Sequence, residues 1–192
     1  YIEANCEAET LCAILTKNNL TNGCITEDTD YLANGGECFI RNFNANSNKI
    51  DVYCLNTILT KLNINYDEFI DLCILCGCDY TCKINGIGPK KALMYIKKYH
   101  NIECIIENIK KNKKYNIPEN FNFNKARKLF KNSISNLDLL KFKNIIKLHK
   151  PNILELNNFI TTKSDKIKIR FINEINKNLN KYINNIINYR KN

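Results

Sequence analysis

The spacing of apolar residues predicts helices alternating with short strands at the start of the chain. Over residues 7–17 apolar side chains recur every three or four positions, which predicts a helix. Cys24-Ile25-Thr26 has the composition expected at the end of a buried strand, and Cys38–Arg41 predicts a second short strand. Short strands and helices in one stretch of chain are typical of part of an α/β layer.

Later segments are dominated by helical patterns. A polar loop is expected over residues 42–49. Tyr66–Cys76 carries Asp67 and Glu68 in its first turn, and Pro89–His100 has proline at its first position, as helix starts often do. The predicted helices are residues 52–62, 66–76, 89–100, 124–132, 153–160 and 167–187. The chain is therefore expected to be α/β at first and helical afterwards, within a length of 192 residues.

Charge is divided unevenly along the chain. Residues 1–104 hold 9 Lys and Arg against 13 Asp and Glu, a balance of −4, whereas residues 105–192 hold 20 against 6, a balance of +14. This division favours a protein whose first half binds cations and whose second half binds phosphates. A Lys/Asn/Ile-rich composition with solvated lysines explains part of the basic excess, but it does not explain why the carboxylates concentrate in the other half.

The ten cysteines all lie between Cys6 and Cys104. The sequence shows no secretory signal, so we expect reduced and mostly buried thiols rather than disulfides. The crowding of Cys73, Cys76, Cys78 and Cys82 raises the alternative of a zinc site. Their spacing does not form two separated CxxC pairs and no histidine is close, so packing is the favoured interpretation.

Five carboxylates lie in three short motifs, each at the edge of an apolar stretch. The motifs are Glu7-Ala-Glu9, the Asp28 and Asp30 pair in TEDTD, and Asp79 in GCDY. Oxygen-rich clusters suit Mg²⁺, and two such ions about 4 Å apart are a standard arrangement for phosphodiester hydrolysis. We expect Glu7 and Glu9 at an irregular helix start, and Asp28 and Asp30 on one side of extended backbone. Taken singly, each motif is also explained structurally, as dipole compensation or as a turn.

A glycine-rich loop follows the third motif. Gly86-Ile87-Gly88 leads through Pro89 into a helix whose first turn contains Lys90 and Lys91. Backbone N–H groups at such a helix start bind phosphate without reading base sequence. An ordinary glycine-rich helix start is the alternative. Carboxylates beside such a loop indicate a metal-dependent nuclease.

These motifs, in this order, resemble the flap endonuclease branch of the structure-specific 5′-nuclease superfamily. The resemblance runs from Glu7 to Phe130, weakens afterwards, and continues over residues 151–175 as a similarity to the family's helical C-terminal part. The segments that carry it are EAETLCAIL, TEDTDYL, FIDLCILCGCDY, INGIGPKKAL, HNIECI and IPENFNFNKARKLF. The last two favour flap endonucleases over the related exonuclease and excision-repair enzymes.

The resemblance implies a fold and a division of the chain. The fold would be the C-terminal portion of a three-layer, PIN-like α/β nuclease core with a helix–two-turn–helix motif and a helical C-terminal region. Residues 1–66 would be core with metal carboxylates, residues 67–107 the helix–two-turn–helix region including Asp79, and residues 108–192 a basic helical region.

The resemblance also assigns roles to the site residues. Glu7 and Glu9 would bind the first of two Mg²⁺ ions, for which Mn²⁺ would be a substitute, and Asp28, Asp30 and Asp79 would bind the second. Duplex DNA would be bound by the loop and helix start, at Gly86, Ile87, Gly88, Lys90 and Lys91. A potassium ion is expected at that loop in the family, but Lys83 stands where a hydroxyl ligand is expected.

Two departures from the family pattern concern missing parts. The N-terminal part of the core, with further aspartates and the arch that threads the flap, is not in this sequence, and the chain opens at Tyr1 without an initiator Met. We therefore expect a fragment that is inactive alone. Residues 184–192 show no sliding-clamp motif, and a sliding clamp is kept only as an alternative partner. Cys76 replaces an aliphatic residue and has no functional interpretation.

The expected function is Mg²⁺-dependent cleavage of 5′ flaps in branched double-stranded DNA during replication and repair. The alternatives are a 5′–3′ exonuclease of the same superfamily, a catalytically inactive duplex-binding module, and a zinc-stabilised interaction domain. A monomer without a membrane span is expected. Its location would be the nucleus in a eukaryote or a cytoplasmic replication site for a virus, and not outside the cell.

Overall fold

The fold is taken from a computed structural model, which describes residues 2–5, 7–43, 50–112, 115–131, 139–146, 152, 154, 155 and 158. The chain divides into two units, Tyr1–Ile146 and Lys147–Asn192. The described elements, in chain order, are α1 (Ala8–Lys17), β1 (Cys24–Ile25), α2 (Asp30–Ala33), β2 (Cys38–Arg41), β3 (Asp51–Cys54), α3 (Leu55–Leu62), α4 (Tyr66–Cys76), α5 (Pro89–Tyr99), α6 (Ile102–Asn112), α7 (Phe123–Lys131) and α8 (Leu139–Ile145).

The described strands form one three-stranded sheet in the order β1-β2-β3. β1 pairs parallel with β2, and α2 lies in the connection between them. β2 pairs antiparallel with β3, with Phe39 opposite Tyr53. Helices and a small mixed sheet in one unit confirm the α/β class.

The element boundaries confirm several predictions and correct others. The predicted strand at Cys38–Arg41 and helix at Tyr66–Cys76 are both present with those bounds. The prediction of a helix from Val52 was wrong, because Asp51–Cys54 is a strand and the helix begins at Leu55. Val52 and Tyr53 are strand-favouring residues, and pairing with β2 decides their conformation.

Three short or Lys-rich helices, α2, α6 and α8, were not predicted. The signal for α6 was present, because Ile102, Ile105 and Ile109 are buried at helical spacing. The helix predicted over 153–160 is described only at residues 154, 155 and 158, which are helical. The helix predicted over 167–187 lies outside the described residues.

One hydrophobic core runs through the first unit. It joins Tyr31 of α2 and Phe39 of β2 to Ile70 of α4, Ile105 of α6 and Phe130 of α7, all at most 1% exposed. The core therefore includes residues from all three predicted regions, and the three-part functional division remains a prediction. Within the described part, no helix is both long and apolar enough to cross a membrane.

α7 is fixed to the rest of the unit by an ion pair between the half-buried Arg127 and a buried carboxylate. The Arg127 guanidinium donates from Nε and Nη2 to the two oxygens of Asp71, each at 2.8 Å. Asp71, on α4, is 3% exposed and also accepts from the backbone N–H of Ile102. Arg127 donates to Glu103 as well, at 2.8 and 3.0 Å, which lowers the pKa of that carboxyl.

Replacing Arg127 by Ala is expected to destabilise the protein by about 3–5 kcal/mol, because it leaves the buried Asp71 carboxylate without its cation. The matched control is Lys131→Ala, on the same helix. Lys131 pairs with Asp67 at 2.7 Å, but both side chains are exposed, so its loss should cost roughly 0.2–1 kcal/mol. Urea unfolding of the two variants measures the difference, and equal losses would show that the Arg127 pair contributes no more than a surface pair.

Candidate functional site

The first acidic motif lies at the N-terminus of α1. Glu7 is the N-cap residue with extended backbone, and Glu9 lies in the first helical turn. The positive end of the helix dipole favours both carboxylates. The predicted placement at the edge of the helix is confirmed. Across the site, the Thr26 hydroxyl donates to Glu9 at 3.2 Å and ties this motif to the segment after β1.

The second motif is a tight turn that leads from β1 into α2. The Asp28 backbone N–H donates to the Thr26 hydroxyl at 3.1 Å, and the Asp30 N–H donates to the Asp28 carboxylate at 2.9 Å. The expectation of extended backbone between the two aspartates was wrong. Thr29 has helical dihedrals and Asp30 is the first residue of α2. The positions of the two carboxylates are therefore determined by these local hydrogen bonds and not by the alternation of side chains along a strand.

The third motif forms a small hairpin at the end of α4. Gly77, with φ of +111°, ends the helix, and Cys78 pairs with Thr81 so that Asp79 lies at the exposed turn between them. A side chain at Gly77 would be strained by the backbone conformation and would overlap the Lys83 side chain. The glycine therefore permits the turn that presents Asp79.

The five carboxylates share one electrostatic environment around Asp30. Burial, and after it repulsion from the carboxylates of Asp28, Asp79, Glu7 and Glu9 in that order of importance, together raise the pKa of Asp30 to about 6. Three chain segments thus bring negative charge to one place, which a divalent cation would neutralise.

The donor chemistry fits Mg²⁺, but the coordination geometry is incomplete. Carboxylate oxygens are the ligands that Mg²⁺ takes. In the described part of the chain, however, no three His, Cys, Asp or Glu side chains are arranged so that they could hold a metal ion. The five carboxylates lie in one region without forming a complete coordination site, and their roles as metal ligands remain predictions.

Tyr80 is a site residue to which the sequence analysis gave no role. Its hydroxyl donates a hydrogen bond to Glu7 Oε2. Burial, and next the bond to Glu7, raise the pKa of Tyr80, so the phenol keeps its proton at neutral pH. The sequence held one signal, an aromatic residue directly after the last carboxylate of GCDY.

The glycine-rich loop forms a concave surface beside the start of α5. Residues 83–91 line it. Gly88 is the N-cap residue of α5, makes no side-chain cap, and has open space where a Cβ would stand. The backbone can therefore be approached closely from outside at this helix start, as phosphate binding requires.

The two lysines at this helix start differ. Lys91 Nζ donates to the Gly86 carbonyl at 2.8 Å and lies 5.3 Å from the centre of the Tyr115 ring. Lys91 therefore holds the loop in addition to its predicted contact with DNA, whereas Lys90 is exposed on the first turn. The predicted potassium ion at this loop remains a prediction.

The described cysteines are free thiols, and most are not buried. Cys24 is buried, but Cys54, Cys82 and Cys104 are exposed and the rest are intermediate. The expectation of mostly buried thiols was wrong, because Cys54 ends the strand β3, Cys82 follows the small hairpin after α4, and Cys104 lies on an exposed side of α6. The zinc alternative gains no support from the arrangement of the described side chains.

Comparison with known proteins identifies relatives of this chain. Residues 1–79 match the XPG I-region family. Over 191 residues the chain is 44% identical to Flap endonuclease 1 of Plasmodium knowlesi (strain H), an alignment that covers 92% of this chain and 31% of that protein. The chain is a relative of the flap endonucleases. It spans about a third of the length of the curated relatives it matches.

Solved structures of such nucleases share this fold. Human GEN1 in complex with Holliday junction DNA matches with a TM-score of 0.65 and 29% identity, over 84% of this chain and 44% of that one. Flap endonuclease-1 from Methanococcus jannaschii matches with a TM-score of 0.64 and 22% identity, over 84% and 47%. The predicted fold, part of an α/β nuclease core with helical additions, is confirmed.

Proposed function

We propose that residues 1–192 are part of a Mg²⁺-dependent nuclease that cuts 5′ flaps in branched DNA during replication and repair. The observation that carries this proposal is the convergence of four carboxylates, Glu7, Glu9, Asp28 and Asp79, on Asp30, whose pKa they help to raise. The 44% identity to a flap endonuclease over almost the whole chain supports the same activity.

The acidic residues divide by position. Glu7 and Glu9 would hold one ion at the start of α1, and Asp28, Asp30 and Asp79 would hold the second beside the start of α2. Bound ions of this kind lower the pKa of a water and stabilise the leaving oxygen. The chain orients the ligands: Thr26 holds Glu9, Tyr80 holds Glu7, and Asp28 accepts from the backbone of Asp30.

DNA binding would come from a different part of the same unit. The open backbone at Gly88 and the exposed Lys90 face outward at the start of α5 and would contact duplex phosphates without reading bases. The GEN1 relative was solved with junction DNA, which supports a branched duplex as the ligand. A monomeric state and a location in the nucleus of a eukaryote, or at a cytoplasmic replication site of a virus, belong to the same proposal and rest on the sequence alone, and residues 184–192 carry no motif for a sliding clamp.

Lys90→Ala is expected to weaken duplex binding equally for unrelated DNA sequences. It should reduce the slope of log K against log salt by about 0.9, the value for one phosphate contact. Lys97→Ala is the matched control, since Lys97 is an exposed lysine at the other end of α5 and should leave the slope unchanged. Fluorescence anisotropy at several salt concentrations measures both, and an equal slope change in the two variants would contradict the assigned contact.

Flap cleavage is tested with the natural protein that carries this chain. The substrate is a 5′-labelled flap, compared with a nicked duplex of the same sequence, in Mg²⁺. Release of the intact flap supports the proposal, and release of mononucleotides from both substrates would instead identify a 5′–3′ exonuclease. Binding of the flap without any cleavage would identify an inactive duplex-binding protein.

A further inference from the structure

Two cysteines lie directly opposite each other on neighbouring strands. β2 pairs antiparallel with β3 in a register that places Cys38 against Cys54. The Leu55 N–H donates to the Glu37 carbonyl at 3.0 Å, so these two residues form a hydrogen-bonded pair of the ladder. The adjacent pair, Cys38 and Cys54, is therefore a non-hydrogen-bonded pair, in which Cα atoms are about 4.5 Å apart and side chains approach each other closely. A disulfide bond joins residues whose Cα atoms are about 4.4–6.8 Å apart, so the register suits one.

The two cysteines lie on the more open side of the sheet. Side chains alternate between the two sides of a strand, so Phe39 points to the opposite side, where it is 1% exposed. Val52 shares the side of the cysteines and is 53% exposed. Cys54 is itself exposed, whereas Cys38 is half-buried. A reagent in solution therefore reaches the Cys54 thiol first.

The Cys38 thiol is less reactive than an exposed one but close to its partner. A Cβ atom at Gly23 would lie 3.0 Å from Cys38 Sγ, so the thiol packs beside this glycine. Burial, and next the charge of a Cys54 thiolate, raise the pKa of Cys38, so this thiol stays protonated at neutral pH. Rotation about the Cα–Cβ bond of Cys38 moves Sγ between staggered positions without backbone movement. Cys38 is therefore suited to react second, after Cys54.

We propose that Cys38 and Cys54 form a thiol–disulfide exchange site, which reacts with a small disulfide such as glutathione disulfide and closes to a covalent bond between β2 and β3. The Cys54 thiolate attacks one sulfur of glutathione disulfide, breaks its S–S bond and releases one glutathione thiolate. The Cys38 thiol then gives up its proton, and its sulfur displaces the second glutathione from Cys54. The two protein thiols lose two electrons, glutathione disulfide gains them, and the two thiol protons end on the two glutathione molecules.

Strand register separates this site from the other exposed thiols. Cys82 and Cys104 are also exposed and would take up glutathione. Cys82 follows α4 and Cys104 lies on α6, so neither is a member of the sheet that pairs Cys38 with Cys54. Exposure therefore explains a mixed disulfide at any of these thiols, and register explains the second step at one of them.

The test is mass spectrometry of the natural protein that carries this chain, treated with glutathione disulfide in the absence of metal and DNA and digested without reduction. In the wild type the peptides that contain Cys38 and Cys54 should be joined, with the loss of both thiols. In Cys38→Ser the second step is removed, so Cys54 should keep one glutathione. Cys104→Ser is the matched control and should leave the joined peptides unchanged.

Two results in the folded wild-type protein would overturn the inference. Glutathione on Cys54 beside a free Cys38 thiol would show that the strands hold the two sulfurs apart. An unreacted Cys54 would show that the site is closed to small disulfides. Both results come from the wild type, so they decide the matter even where Cys38→Ser does not fold.

Treatment in urea tests whether strand pairing, and not closeness in sequence, joins Cys38 to Cys54. Urea removes the register, so the same reagent should join Cys54 to several different cysteines. An equal yield of the link between Cys38 and Cys54 in folded and unfolded protein would contradict a site built by β2 and β3.

Discussion

The double substitution Asp28→Asn/Asp30→Asn is expected to abolish flap cleavage by the natural protein while duplex binding persists. Asp30 lies among the other carboxylates of the site, of which Asp28 is one, and both would hold the second ion. Metal stabilisation of the transition state is worth several kcal/mol, and each 1.36 kcal/mol is a factor of ten in rate, so the loss should reach about a thousandfold. Single-turnover cleavage of a labelled flap, beside anisotropy on the uncut substrate, measures the two properties separately.

The melting temperature of the single variant Asp30→Asn provides the control for the double variant. The folded protein raises the pKa of Asp30 to about 6, above the usual aspartate value, so folding favours the protonated form. That favourable contribution is complete below the pKa of the unfolded chain and is lost as pH rises through about 6. Asp30→Asn should therefore raise the melting temperature of the metal-free protein at pH 7.5 and give no such gain near pH 4.

The combination of lost cleavage and gained stability separates a functional site from a structural one. An aspartate kept among four other carboxylates destabilises the metal-free fold, and a bound cation would remove that cost. Cleavage by the double variant within tenfold of wild type would contradict the assignment of the metal site. A lower melting temperature at pH 7.5 would instead show that Asp30 is held by favourable contacts.

The sequence predicted the helices whose ends are determined by a few neighbouring residues. The α4 bounds follow from Asn65 and Glu68, which form a capping box, and from Gly77, whose positive φ ends the helix. The start of α5 follows from Gly88 and Pro89 in the same way. The two candidate surfaces could be located from sequence because their residues lie at such helix ends.

Elements decided by pairing or by single hydrogen bonds could not be predicted in this way. The apolar residues of Asp51–Cys54 continue a helical pattern into α3, and only the neighbouring strand β2 makes them extended. The turn that directs Asp28 and Asp30 depends on the Thr26 hydroxyl and the Asp28 carboxylate, which can satisfy the backbone in several conformations. The contact between Tyr80 and Glu7 spans 73 residues and has no local signal.

The chain of 192 residues, taken by itself, is expected to bind branched DNA weakly and not to cut it in millimolar Mg²⁺ or Mn²⁺. The physical reason is the arrangement of the acidic residues. They converge on Asp30, yet no three of the described side chains are placed to hold an ion, so both ions would be incompletely bound. A labelled 5′ flap resolved by length after incubation with the isolated chain measures this directly.

Adding the N-terminal segment of a relative, fused before Tyr1 or supplied as a second chain, should restore cleavage near the base of the flap. The relatives are about three times as long as this chain, and by resemblance that segment carries further metal aspartates and the arch that positions the flap. The position of the flap matters as much as the number of metal ligands, because a misplacement of the reacting groups by about 1 Å can lower the rate 100-fold. The same fusion with Asp28→Asn/Asp30→Asn is the control and should stay inactive. Rapid flap cleavage by the isolated chain would show that Glu7, Glu9, Asp28, Asp30 and Asp79 suffice to bind the ions once DNA is present.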